Sequence, residues 1–120
     1  MVQIIFGSVV YFASLIGCYD GDTCTVRLMK APEIVAEVTF RFEGFDTPEI
    51  RGKCDREKFL AKNARQITLN YMLQKGVVYT NGKKGKYGRL LVTASELELE
   101  LISAGVSRPY DGGKRGSWCQ

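Results

Sequence analysis

Three short stretches of this chain concentrate side chains able to do polar chemistry. They are Asp20-Gly21-Asp22-Thr23, Asp46-Thr47-Pro48-Glu49 and Lys86-Tyr87-Gly88-Arg89, with Arg41 between the first two. Each alone has a plain structural explanation. Asp-Gly-Asp is a turn, Asp-Thr-Pro-Glu breaks a strand, and Arg41 suits the exposed side of an alternating strand. Together they bring carboxylates and two guanidinium groups to one small domain, which is what hydrolysis of a phosphodiester requires. Attack on phosphorus needs an activated water, neutralised equatorial oxygens and help for the leaving alkoxide. Asp22 and Asp46 are hard oxygen ligands suited to Ca²⁺ or Mg²⁺, and Ca²⁺ accepts the looser, more hydrated site. Arg41 and Arg89 can each present a planar donor fork to phosphate. Glu49 remains as the candidate base. Proton transfer from free water (pKa about 15.7) to Glu (about 4.3) is uphill by roughly 15 kcal/mol, so a metal on the water or on the phosphate must share the work.

Composition narrows the alternatives. The chain has 120 residues and no histidine. Ser-His-Asp and Cys-His nucleophilic sites are therefore excluded, as are His-ligated zinc hydrolases. Seventeen Lys and Arg against thirteen Asp and Glu leave a net charge of +4, which suits a polyanionic partner without establishing one. The positive charge is clustered: Lys83, Lys84, Lys86 and Arg89 share one Gly-rich segment, and Arg108, Lys114 and Arg115 share the tail. Negative charge gathers at Glu96, Glu98 and Glu100. The length allows one domain with one modest core. No apolar run is long enough for a spanning helix.

The elements that must position these groups can be read from periodicity. Tyr11–Tyr19 and Thr23–Met29 read as strands joined at Asp20-Gly21-Asp22, and 34–45 resumes a strand pattern that ends at Asp46-Thr47-Pro48. From Cys54 to Gln74 the period lengthens, and Leu60, Ala64, Ile67 and Tyr71 fall on one helical face closed by Gly76. Residues 77–80 and 90–94 are strand-like. Residues 95–103 alternate as a strand would, yet Ser95 and Glu98 form an S-x-x-E capping box and Leu97, Leu101 and Ala104 suit a helical face, so a short helix is expected. The order β-β-β-α-β-β-α predicts an α+β, mainly β domain: a five-stranded Greek-key barrel of the OB type, flanked by two or three helices.

Of the four cysteines, Cys18 and Cys24 lie in apolar, strand-like surroundings and are expected to be core residues. Cys54 and Cys119 lie in polar segments. A bridge between them, in an oxidising compartment, would close a loop of about 65 residues and stabilise by roughly 4 kcal/mol on the chain-entropy model. Residues 1–16 carry no charged side chain. They fit the apolar region of an export signal but lack its basic start and a clean cleavage site, and they fit a β-strand equally well. A secreted or periplasmic location is favoured, with a cytoplasmic one as the alternative.

The ordered set of motifs resembles the staphylococcal nuclease (thermonuclease) family across roughly Phe12 to Tyr110. The tail, Arg108-Pro109-Tyr110-Asp111-Gly112-Gly113-Lys114-Arg115 through Trp118-Cys119, resembles the short bacterial and phage branch of that family. The resemblance implies one OB-fold domain over residues 1–120, with 1–11 as an extra N-terminal segment, acting as a Ca²⁺-dependent endonuclease on DNA and RNA. It implies Asp22, Asp46 and the Thr47 carbonyl as Ca²⁺ ligands, Glu49 as the residue that orients or deprotonates water, and Arg41 and Arg89 on the scissile phosphate. Tyr87, Tyr110 and Lys86 would contact the nucleotide, and Asp20 would support the metal site from behind. Gly85 stands where the family often has Asp. No stable protein partner, no membrane association in the mature form and a monomeric state are expected. The alternatives are a non-catalytic nucleic-acid-binding or scaffold module of the same fold, or an OB-type protein-interaction domain.

Overall fold

The β-rich first third of the chain folds back on itself in antiparallel strands, and the remaining elements close that sheet. The computed structural model describes residues 1–120. Its strands are β1 (Val2–Phe6), β2 (Val9–Asp20), β3 (Thr23–Leu28), β4 (Glu37–Phe42), β5 (Phe45–Asp46), β6 (Val77–Thr80), β7 (Leu90–Val92) and β8 (Arg108–Pro109). The helices are α1 (Asp55–Gln74) and α2 (Ser95–Ser103). The main sheet runs β6-β1-β2-β3-β4-β7, and a bridge between Tyr79 and Thr93 joins its two edges. The result is a nearly closed OB-like barrel with two helices. Pairing β4 with β7 and β1 with β6 is parallel, and the other main-sheet pairs are antiparallel.

The barrel has six strands where five were expected. The added strand is β1, which inserts between β2 and β6 and buries Val2 and Ile4. The expected strand over 34–45 is also broken up. Glu33–Val35 forms a 3₁₀ turn, and Gly44 at φ +97° separates β4 from β5. Phe40, Phe42 and Phe45 nonetheless fill the centre of the barrel, all fully buried.

Helix α1 begins where expected, with Cys54 as its N-cap, but its buried face is rotated. Ala61, Ala64, Thr68, Tyr71 and Met72 point inward, while Leu60 and Ile67 are half-buried. At Ala64 the face must be small, because there the helix runs very close to the β2–β3 turn. A Cβ on Gly21 would lie 2.8 Å from the Ala64 Cβ and 2.9 Å from the Thr47 Cγ2. Helix α2 forms as expected, burying Leu97 and Leu101, but the predicted capping box does not. Ala94 is the N-cap, no side chain caps the helix, and Ala104 ends it exposed.

Both cysteine pairs are bridged. Cys54–Cys119 joins the start of α1 to the end of the chain, as the polar setting of those residues suggests. Cys18–Cys24 corrects the expectation of two unlinked core residues. They are directly opposed on β2 and β3, with Cα atoms 3.9 Å apart, so the antiparallel register brings their side chains together. No helix is long and apolar enough to cross a membrane.

Candidate active site

The site lies on the rim of the barrel, at the ends of β2, β3 and β4. Strand β2 delivers Asp20, and the tight turn delivers Asp22. Asp20 Oδ1 accepts from the Asp22 backbone N–H at 3.2 Å, and the Thr23 hydroxyl donates to Asp22 Oδ1 at 3.0 Å. The Phe42 N–H donates to the Asp22 carbonyl at 2.8 Å, so β4 locks the turn from its other side. All three turn side chains are buried. Burial first, and the neighbouring Asp22 charge second, push the Asp20 carboxyl up to about 8.

Pairing of Thr23 with Arg41 across β3 and β4 sets the arginine beside this turn. Arg41 Nη2 lies 3.3 Å from Asp22 Oδ2 and 3.7 Å from Asp46 Oδ1. One guanidinium therefore spans two aspartates that are 24 residues apart in sequence. Asp46 is held by pairing of β5 with Arg108 of β8. Thr47 follows it fully buried, with an Oγ1 that has no hydrogen-bond partner. Arg89 reaches the same rim from the β6–β7 loop: its Nη1 donates to the Thr23 hydroxyl at 3.5 Å and its Nε to the Lys86 carbonyl at 3.4 Å.

The aromatic candidates flank the arginines. Tyr110 sits with its ring 5.4 Å from the Arg41 guanidinium, and Tyr87 with its ring 5.7 Å from that of Arg89. Tyr87 adopts φ +61° and is 92% exposed, which presents a ring face to solvent rather than to the core. Lys86 is exposed beside it. The structure thus brings Asp20, Asp22, Arg41, Asp46, Thr47, Arg89 and Tyr110 together, with Glu49 at the edge and Tyr87 and Lys86 on the adjacent loop.

Two residues at the site had no assigned role from the sequence. Arg115 forms ion pairs with Asp46 and Glu49, and its Nη2 lies 3.9 Å from Asp22 Oδ2. Burial opposes its charge, but hydrogen bonding to Asp46 and the charges of Asp46, Glu49 and Asp22 outweigh it and raise the guanidinium pKa further. Glu57, buried in the first turn of α1, accepts from the Lys53 N–H at 2.9 Å and the Glu49 N–H at 3.3 Å. It thereby fixes the backbone that carries Glu49. Its signal was legible: it stands three residues after the N-cap Cys54, where a capping carboxylate belongs. A cleft of about 690 Å³ opens here, lined by Asp46, Glu49, Lys53, Glu57, Lys114 and Arg115 among others.

The donor set at this rim consists of oxygens only: two buried carboxylates within reach of one guanidinium, and the buried Thr47 segment. That chemistry fits a hard divalent cation. No group of three acidic, Cys or His side chains converges in a metal-binding cluster, so a cation held here must take further oxygens from backbone and water.

An OB-like barrel carrying carboxylates and arginines on one rim defines a small domain suited to anionic, phosphate-bearing ligands. Residues 39–115 match the family described as Staphylococcal nuclease homologue, and the chain belongs to that family. The match spans Arg41, Asp46, Glu49, Arg89 and Arg115, whereas the Asp20–Thr23 turn lies N-terminal to it. No curated protein matches the chain significantly. Family membership points to a nuclease-type or nucleic-acid-binding function.

Proposed function

We propose that this protein is a calcium-dependent endonuclease that hydrolyses phosphodiester bonds of DNA and RNA. The observation that carries the proposal is the convergence of Asp22, Asp46 and Arg41, with contacts of 3.3 and 3.7 Å, beside Arg89 on the same rim. In this reading Asp22, Asp46 and the Thr47 carbonyl hold the Ca²⁺. The ion, when bound, neutralises phosphate charge and favours attack by water. Arg41 and Arg89 donate to the non-bridging phosphate oxygens and stabilise the charge that builds up there. Glu49, about half-exposed, accepts the proton of the attacking water on a carboxylate oxygen. The oxygen of that water bonds to phosphorus, the P–O bond to the leaving alkoxide breaks, and solvent reprotonates the alkoxide. Asp20 keeps Asp22 oriented through the Asp22 N–H. Tyr87, Tyr110 and Lys86 bind the nucleotide that flanks the scissile bond. Nucleic acid is the substrate, and the protein works as a monomer.

Degradation of plasmid DNA and of RNA by purified protein, with Ca²⁺, with Mg²⁺ and with a chelator, tests this. Ca²⁺-stimulated cleavage abolished by chelator is expected. Binding without cleavage in any cation would assign the chain to a non-catalytic module of the same fold.

A further inference from the structure

Arg115 stands apart from the other charged groups of the site. Arg41 belongs to a central strand and its side chain is 15% exposed, whereas Arg115 rides on the C-terminal tail and is 37% exposed. Its partners, Asp22 and Asp46, have side chains only 3% and 5% exposed. The guanidinium therefore enters from the solvent side and covers the carboxylates.

Its placement is anchored on both sides. Upstream, Tyr110 donates its hydroxyl to the Gly113 carbonyl at 2.8 Å. Downstream, the Arg108 guanidinium lies 3.6 Å from the Trp118 ring centroid and its Nη2 donates to the Ser117 carbonyl at 2.6 Å. One residue further, Cys119 is bonded to Cys54. Between the Gly113 and Ser117 anchors lie only Lys114, Arg115 and Gly116, and a glycine on either side of Lys114-Arg115 gives the backbone freedom for one side chain to swing without disturbing the barrel.

We propose that Arg115 is an internal counter-cation that occupies the divalent-cation position and is exchanged for the ion. This rests on the reading of Asp22 and Asp46 as cation ligands. The argument is one of exclusion. Arg115 bonds the same Asp46 Oδ1 and approaches the same Asp22 Oδ2 that face the Arg41 guanidinium, and a divalent ion needs those oxygens. Arg115 pairs with Asp46 Oδ1 more closely than Arg41 does at 3.7 Å, and from the solvent side, so an ion that takes that oxygen from solvent displaces Arg115 and leaves Arg41 on its strand. Without metal, Arg115 neutralises buried carboxylates that would otherwise repel each other. With metal, it is released but remains tethered a few residues from Trp118 and Cys119. Arg115 therefore tunes how much Ca²⁺ the site needs.

The test is Ca²⁺ binding by calorimetry to the full chain, with no substrate present. Arg115→Gln should bind Ca²⁺ at least about tenfold more tightly than the native protein, on the scale of losing one charge-assisted contact. Lys114→Gln removes the same formal charge from the neighbouring position, where no ion pair is made, and should change affinity by no more than about twofold to threefold, the size of a screened surface charge effect. Native affinity in Arg115→Gln, an equal gain in Lys114→Gln, or no Ca²⁺ binding by either protein would overturn the inference. Because the readout is binding, a protein that binds Ca²⁺ but cleaves nothing refutes the nuclease reading alone.

Discussion

Thr68 donates its hydroxyl to the Gly21 carbonyl over 2.7 Å, and so fastens the middle of α1 to the turn between Asp20 and Asp22. Thr68 is fully buried, and no water competes for that bond. Thr68→Val keeps the volume and removes the donor, leaving a buried carbonyl unpaired at a cost of about 1–3 kcal/mol. The turn that presents Asp22 should loosen as well. Chemical denaturation should show the stability loss, and calorimetry a weaker Ca²⁺ affinity in the variant. Full stability in Thr68→Val would mean that helix and turn are held by packing alone.

Packing at the same turn leaves no room for a side chain. The Cβ of Gly21→Ala would approach Ala64 and Thr47 at 2.8 and 2.9 Å. Both neighbours belong to rigid parts of the fold, so the clash must be relieved by moving α1 or the Asp46–Thr47 segment. A destabilisation of about 1–3 kcal/mol is expected, the usual range for overpacking. The expected signature is joint: lower stability together with impaired Ca²⁺ binding, both measured on the purified variant.

On the nuclease reading, Glu49→Gln removes the proton acceptor and Arg89→Ala removes a phosphate contact. Each should lower the cleavage rate by at least about a hundredfold, the scale of losing one group that acts in the transition state. Neither touches the core, so melting temperatures should stay close to native. Unchanged cleavage in both variants would show that these roles are misassigned.

Legibility of this site in the sequence followed the range of the interactions. Asp22 and Asp46 stand out as candidates because they lie at strand ends, where turn chemistry is local and visible. Arg115 could not be assigned, since its contacts to Glu49 and Asp46 span 66 and 69 residues and depend on how the tail is tied down. The same holds for β1, whose parallel partner β6 lies across the whole of α1 in sequence. In α1 the apolar stripe misled for a different reason: the helix turns Ala61, Ala64 and Thr68 inward, with Ala64 closely facing Gly21, and leaves Leu60 and Ile67 at the edge of the buried face. Strand pairing also explains Cys18–Cys24, because two cysteines flanking a turn become neighbours once the register is set.

The two bridges should differ in their contribution to stability. Cys54–Cys119 closes a separation of 65 residues and Cys18–Cys24 one of 6. On the chain-entropy model these are worth about 4 and about 2 kcal/mol respectively. Denaturation of Cys54→Ser/Cys119→Ser and of Cys18→Ser/Cys24→Ser should rank the losses in that order. The longer bridge also holds the tail that carries Arg115, so the first variant should gain Ca²⁺ affinity while losing stability. Four titratable thiols in native protein made in an oxidising compartment would show that neither bridge forms.

Tyr71 connects stability to alkaline pH. Its ring is buried between α1 and the barrel, and its hydroxyl donates to the Val77 carbonyl at 2.6 Å. Burial above all, then the charges of Glu96 and Tyr79, raise its pKa above the ordinary value of 10.0. The sign follows from linkage. The folded state favours the protonated phenol, so this contribution is complete below the unfolded pKa near 10 and is lost as pH rises through the folded value. Tyr71→Phe should cost about 0.5–1.5 kcal/mol at neutral pH through the missing hydrogen bond. It should also flatten the alkaline fall in stability, so that the gap between variant and native protein narrows above about pH 10. Denaturation midpoints measured from pH 7 to 11 would show this convergence, and parallel curves would place the alkaline sensitivity elsewhere.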